Sequence, residues 1–286
     1  MARRTWPATD PIPDRSAERP VPLPMAGSPP LPASRTPARE LPPPRSVERG
    51  VVLFDLDGTL LDDLALISHV AADVLEKSFG TPSEEARVHY LATTGLPFEA
   101  QLAQLYPTAT PELRAAASRS FHQRKVTEAY ARSAPFPEVP RLLKRLAGAR
   151  WTLGITTGAE TEMAELVLER VGLRFWFEGV LGSADGTKRE HLQEYGRRFP
   201  GAPRFLVGDS RFDMEAALSV PDVTPLGRAT ALPGWTLTPR DLTGWGAAWA
   251  DYSLGELPEV LERLSPVGAR ESARGRARGA RRPSRR

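Results

Sequence analysis

The sequence predicts an α/β protein built on a doubly wound parallel sheet, with an all-helical insert near its start. Three observations carry this reading. Short apolar runs at residues 51–54, 151–156 and 204–207 each end in polar turn residues. From residue 138 such runs alternate with stretches of helical periodicity, the pattern of successive β-α-β units. Residues 63–135, in contrast, hold helical patterns and no convincing strand.

The first run reads VVLFDLDGTL over residues 51–60. Four apolar residues suit a buried strand that delivers Asp55 and Asp57 onto the following turn. Residues i and i+2 of a strand point to the same side, so both carboxylates start together, and Gly58 with Thr59 allows a tight turn. Two like charges this close require a cation between them or a shared proton. The pair suits a nucleophile and a general acid/base sharing a hard metal such as Mg²⁺. Calcium loops contain similar strings, but they need further acids downstream and lack a preceding apolar strand.

In the insert, Leu64, Ile67, Val70, Ala71, Val74 and Leu75 follow the spacing of one buried helix face. Thr81-Pro82-Ser83-Glu84 reads as an N-cap, a proline at the first helical position and a capping-box glutamate. Thr110-Pro111 opens a helix expected to run to about Arg132. Phe136-Pro137 marks the return to the sheet. Helices are then expected around Val139 to Leu146, over 160–172, after Lys188 and over 212–218. A short strand is expected near Val180 and Leu181, and Ser253 with Glu256 reads as a capping box opening a last helix to Leu264. Ligands of such sheets bind beyond the carboxyl ends of the strands, where Asp55, Thr157 and Asp209 all fall.

The ends of the chain differ from the middle. Thirteen of the 29 prolines lie within residues 1–44, a stretch too poor in apolar pattern to offset its ordering entropy. Residues 1–49 are therefore expected to be a disordered extension, with Met25 an alternative start, and 265–286 a disordered arginine-rich tail. The net charge of +3 conceals a division. The two ends are basic, which leaves the intervening segment near −7. The tail could attract nucleic acid or anionic lipid, but a solvated tail is the expected reading, and no nucleic-acid or membrane partner is assigned. The absence of cysteine excludes disulfides and thiol chemistry. No apolar run has the length of a signal core or a membrane span, so a cytoplasmic location is expected. Only four of the 38 basic residues are lysine, which makes Lys188 informative.

The string at 51–60 resembles motif I of the haloacid dehalogenase-like superfamily, and three further motifs follow in order. WTLGITTG at 151–158 ends in Thr157-Gly158, GSADGTKR at 182–189 contains Lys188, and FLVGDSRFD at 205–213 contains Asp209 and Asp213. The resemblance spans roughly residues 50–264. It implies a Rossmann-like core from 50–62 and 136–264, with 63–135 forming a C1-type cap of four helices. It further implies phosphoryl transfer, with Asp55 as nucleophile and Asp57 as general acid/base. Mg²⁺ would be held by Asp55, the backbone carbonyl of Asp57 and Asp209, with Asp213 acting through water or behind a direct ligand. Thr157, the amide of Gly158 and Lys188 would bind the phosphoryl group.

An aspartate at 57 sets phosphatases and phosphomutases apart from the dehalogenases and phosphonatases that resemble them. Two departures stand out. Arg189 follows Lys188 where the family often has proline, and Ser219-Val220-Pro221-Asp222-Val223 replaces an Ala-Gly pair, which leaves the placement of the last strand open. A substrate-reading loop is expected near Thr93-Thr94-Gly95-Leu96-Pro97. Arg124 and Lys125 are candidate substrate contacts, although a solvated helix face is the expected reading. His69, His89, His122 and His191 are assigned to the surface or to cap packing, and Trp235, Trp245 and Trp249 to the core. The implied activity is Mg²⁺-dependent hydrolysis of a small phosphorylated metabolite, similar to phosphoglycolate phosphatases. A phosphomutase of the β-phosphoglucomutase type uses the same motifs, and an interaction protein acting through its basic tail is a third reading. Neither the substrate nor the oligomeric state is encoded in these motifs.

Overall fold

The computed structural model describes residues 48–265. The expected extension and tail lie outside them, apart from Glu48, Arg49 and Ser265. Strand β1 (Val51–Phe54) is followed by helices α1 (Leu64–Phe79), α2 (Ser83–Ala92), α3 (Phe98–Leu105) and α4 (Pro111–Arg124), the last extended by a π-helical turn over Lys125–Tyr130. Then come α5 (Val139–Gly148), β2 (Thr152–Thr156), α6 (Thr161–Arg170), β3 (Gly179–Leu181), α7 (Lys188–Arg198), β4 (Arg204–Gly208), α8 (Arg211–Leu218) and β5 (Val223–Arg228). A hairpin of β6 (Thr230–Leu232) and β7 (Trp235–Leu237), helix α9 (Pro239–Gly244), β8 (Trp249–Asp251) and α10 (Leu257–Leu264) complete the described chain.

Six strands form one parallel sheet in the order β3-β2-β1-β4-β5-β8. β1 pairs with β2 on one side and β4 on the other, Val51 lying opposite both Thr152 and Arg204. All four residues of β1 are fully buried, as expected of a strand covered on both faces. Burying a Val, Leu or Phe is worth about 1.5–3 kcal/mol each, so this strand anchors whatever follows it. Successive strands build outward from β1 in opposite directions, and the turn after β1 therefore sits at the topological switch point where such sheets form clefts.

Helices α1 to α4, inserted directly after β1, enter and leave through adjacent linkers. The Asp62 amide donates to the Ala134 carbonyl at 2.9 Å and the Phe136 amide to the Leu60 carbonyl at 3.0 Å. Next to these linkers Asp63 and Ser133 share a 2.9 Å hydrogen bond. Thr110 caps α4 as the sequence predicts, accepting from the Leu113 amide.

Other local signals are diverted. Thr81 bonds the Tyr106 hydroxyl at 2.8 Å and leaves α2 to begin beside Pro82 without a side-chain cap. Ser253 donates to Glu138, so α10 opens at Leu257 with no capping box. In both cases a tertiary partner wins the hydroxyl. The hairpin, α9 and β8 are elements the sequence reading lacked. Trp235, Trp245 and Trp249 are half-buried in and around them rather than central to the core. No helix among the described residues is long and apolar enough to cross a membrane.

Candidate active site

The ends of β1, β2 and β4 open into one cavity, lined by Asp55, Asp57, Thr157, Gly158 and Asp209 from the sheet and by Lys125 and His122 from the helical insert. Asp55 directly follows β1, and its amide donates to the Val207 carbonyl of β4 at 2.8 Å. The turn beyond it closes through Gly58, whose φ of +76° is left-handed. A Cβ there would also overlap the Asp209 carboxylate, so conformation and close approach both require glycine.

Lys188 is the first residue of α7, whose start is fixed by a reciprocal capping box between Thr187 and Glu190. Its buried ammonium donates to Asp55 Oδ1 at 2.8 Å and to Asp213 Oδ1 at 2.5 Å. The other oxygen of Asp213 accepts from the amide of Ser210 at 3.1 Å and from its hydroxyl. Thr157 is tied by its amide to the Leu181 carbonyl and accepts from the Ala159 amide at 3.2 Å. The Thr59 hydroxyl lies 3.5 Å from Asp209 Oδ1. Two carboxylate oxygens in this group, Asp57 Oδ1 and Asp209 Oδ2, are buried without a hydrogen-bond partner among the described residues.

This concentration of acid changes proton affinities. Burial pushes the Asp55 carboxyl up to about 6, with Asp213 and Asp57 adding to the rise and Lys188 opposing it. Asp209 is raised well above the ordinary range by burial and then by Asp55 and Asp213. Asp63 is raised by burial and then by Asp57. Burial alone would depress the Lys188 ammonium, but Asp213 and Asp55 outweigh it and hold it above its usual value. Asp55, Asp209 and Asp213 each offer an oxygen within 4.8 Å of the others. Hard oxygen donors in this number fit a divalent cation such as Mg²⁺, and the unpartnered Asp209 Oδ2 is an unspent donor for one. Both Asp213 oxygens are already engaged, so of the three carboxylates Asp55 and Asp209 are the better placed to meet such a cation directly.

Protons and a divalent cation would therefore compete for the same carboxylates. Asp55 binds its proton more tightly folded than unfolded, so its contribution to stability is present below about 4 and is lost as pH rises through about 6. His191 works in the opposite sense. Burial lowers it to about 4, and its contribution is lost as pH falls from about 6.5 through that value. The difference made by the metal isolates the carboxylates. Saturating Mg²⁺ is expected to raise the melting temperature by several degrees at pH 7.5 and by little at pH 4.5, from roughly 2–3 kcal/mol of linkage. An equal shift at both pH values would remove the carboxylates from the metal site.

The cap side departs from the sequence reading. Lys125 is not on a solvated face: it is 5 % exposed, and its ammonium donates to Asp57 Oδ2 at 2.5 Å. The Tyr130 hydroxyl donates to the same oxygen at 3.1 Å. Arg124 does face outward, where it pairs with Glu128 and Asp73. His122 lines the cavity and pairs with Glu99 at 2.8 Å, its ring reaching within 3.9 Å of Glu160 on the sheet side. His191 is buried in the core, 2.8 Å from Thr156 Oγ1.

Lys125 and Tyr130 are the site residues that the motifs missed. The scarcity of lysine that singled out Lys188 applies equally to Lys125, and it was the available signal. The expected loop at 93–97 does close the cavity. Gln101 holds it through Thr93 and the Leu96 carbonyl at 2.9 and 3.0 Å, and Gly95 and Leu96 pack directly on Gly158 and Ser210.

Known proteins resemble this chain in sequence and in fold. The chain is 29 % identical over 180 residues to phosphoglycolate phosphatase from Vibrio cholerae, covering 58 % of this chain and 79 % of that one. It is 27 % identical over 217 residues to phosphoglycolate phosphatase from Rhodobacter capsulatus, covering 74 % and 96 %. Similar folds include a hydrolase from Pseudomonas syringae, with a TM-score of 0.63 and 21 % identity over 76 % of this chain and 99 % of that one. Another is a haloacid dehalogenase-like family hydrolase from Streptococcus pneumoniae, with a TM-score of 0.59 and 22 % identity over 74 % and 98 %. Residues 52–220, which hold β1, the helical insert and the three later motifs, match the haloacid dehalogenase-like hydrolase family, and the chain belongs to that family.

Proposed function

We propose that the protein is a Mg²⁺-dependent phosphatase that hydrolyses a small phosphorylated metabolite through a phosphorylated Asp55. The observation that carries this reading is the setting of Asp55. It is buried at the end of the central strand, bonded to Lys188, and shares its cavity with Asp57 on one side and Asp209 on the other. The names of the two bacterial relatives support a phosphomonoester substrate and put phosphoglycolate first among compounds to try.

In the first half-reaction an Asp55 oxygen attacks phosphorus, the P–O ester bond breaks, and Asp57 gives its proton to the departing oxygen. In the second, Asp57 takes a proton from water as that water attacks phosphorus, which releases phosphate and restores Asp55. Thr157 and the amide of Gly158 would bind the non-bridging oxygens. Lys188 supplies a compact positive charge where negative charge develops, and Asp213 holds it there. Mg²⁺, held by Asp55, the backbone carbonyl of Asp57 and Asp209 with Asp213 behind, would neutralise the carboxylates and the phosphate together.

The test is phosphate release from a panel of phosphorylated hydroxy acids, sugars and an aryl phosphate, with Mg²⁺ or with EDTA. Metal-dependent release is the expected result. A folded protein that releases no phosphate from any compound would overturn the reading, and transfer between sugar hydroxyls would make the protein a mutase.

A further inference from the structure

The end of the cap nearest these linkers is wound in an unusual way. Past Arg124 the helix widens, and the Ala131 amide reaches back five residues to the Val126 carbonyl at 3.2 Å. In an α-helix residues five apart lie about 140° apart around the axis. In the wider turn Lys125 and Tyr130 come onto one face. Both reach Asp57 Oδ2, and the ammonium lies 4.7 Å from the centre of the tyrosine ring. Isolated π turns are rare and occur often at functional sites.

The position of this pair matters for what the cavity can accept. On the phosphatase reading, on which this inference rests, phosphorus sits on Asp55 and the leaving oxygen lies beside Asp57. The remainder of the leaving group then extends past Asp57 toward the cap, where Lys125 stands. Of the other polar groups in the cap wall, Gln101 is used by Thr93 and Leu96, and Thr94 by the Leu91 carbonyl. His122 pairs through Nε2 with Glu99, an acid that disfavours an anion beside it, and its Nδ1 is buried without a hydrogen-bond partner among the described residues. Phe98, Phe121 and the ring of Tyr90 supply apolar surface.

We propose that Lys125 is the specificity residue of this site, its ammonium exchanging Asp57 for a second anionic group carried by the leaving part of the substrate. The exchange keeps the buried cation paired throughout, which an uncharged leaving group does not. The closed loop over Gly158 keeps that group small.

The experiment compares kcat/KM for two phosphomonoesters of similar size, one of a short hydroxy acid and one of a short uncharged alcohol, each with Mg²⁺. Wild type is expected to prefer the acid, and Lys125→Met to reduce that preference by at least about tenfold, mainly through KM for the acid. Lys125→Arg should keep part of the preference. Tyr130→Phe, which loses the other contact to Asp57, should slow both esters alike and leave the ratio in place. A ratio unchanged in Lys125→Met overturns the proposal, as does a ratio that falls equally in Tyr130→Phe, since the preference would then come from Asp57. Wild type that releases phosphate from other members of the panel but from neither of these esters overturns the inference alone, whereas release from no compound of the panel refutes the phosphatase reading, and the inference falls with it.

Discussion

Asp55→Asn is expected to reduce phosphate release by at least about 10⁴-fold, the scale on which removal of a nucleophile acts, while the protein stays folded. Asparagine keeps the shape of the side chain and can still accept from Lys188, but its amide cannot form the phosphoryl bond. The fold has reason to tolerate the change. Burial together with Asp213 and Asp57 makes the ionised Asp55 costly, and the neutral amide removes that repulsion. Without metal the variant should therefore melt no lower than wild type at pH 7.5. It should also lose most of the stabilisation by Mg²⁺, because one of the two carboxylates proposed to hold the ion would have lost its charge. Steady-state phosphate release and thermal melting with and without Mg²⁺ measure both effects. Retention of more than about a hundredth of kcat would exclude Asp55 as the nucleophile.

The second large effect concerns Lys188→Met, for which activity and stability should fall together. The ammonium is buried between Asp55 and Asp213, and removing one partner of a buried ionic group leaves uncompensated charge, at a cost of about 3–5 kcal/mol. Loss of the point charge beside the transferring group should lower kcat by about 10²–10³-fold. The stability penalty is expected to shrink as pH is lowered, because a proton can then replace the missing cation. Chemical denaturation at pH 5 and pH 8 separates this account from a simple packing defect, which would cost the same at both. An unchanged penalty across that range would mean that Lys188 acts through its methylenes.

Much of the site was legible because its parts are local. Asp55, Thr157 and Asp209 each follow an apolar run by one or two residues, so strand and side chain come from a single stretch of chain. Lys188 was legible for a different reason, as a rare lysine at the start of a helix. Lys125 was not, although its scarcity is the same. Its burial depends on a helix changing pitch at residue 125 and folding back over a turn 68 positions earlier, and periodicity does not register either event. The same limit explains the misread caps. Thr81 and Ser253 carry good capping signals, yet their hydroxyls go to Tyr106 and Glu138, partners brought in by tertiary folding. The hairpin and β8 have three-residue strands interrupted by Pro233, Gly234 and Gly246, too short to show an alternation. The sheet order with β1 at its centre is a property of long-range pairing, for which the residues of β1 alone hold no instruction.

That central position has a consequence for how the chain assembles. Val51 pairs with Thr152 and Arg204, partners 101 and 153 residues further along. During synthesis β1 is made before every other described strand and waits longest, with Asp55 and Asp57 at its end providing the charge that discourages self-association. Helices α1 to α4, whose contacts are close in sequence, can collapse in the interval, since local contacts form fastest. Pulse-labelling by hydrogen exchange should accordingly find amides of α1 and α2 protected before those of residues 51–54, and the reverse order would refute it. An insertion in the middle of a sheet would then serve as the first shelter of the strand it interrupts.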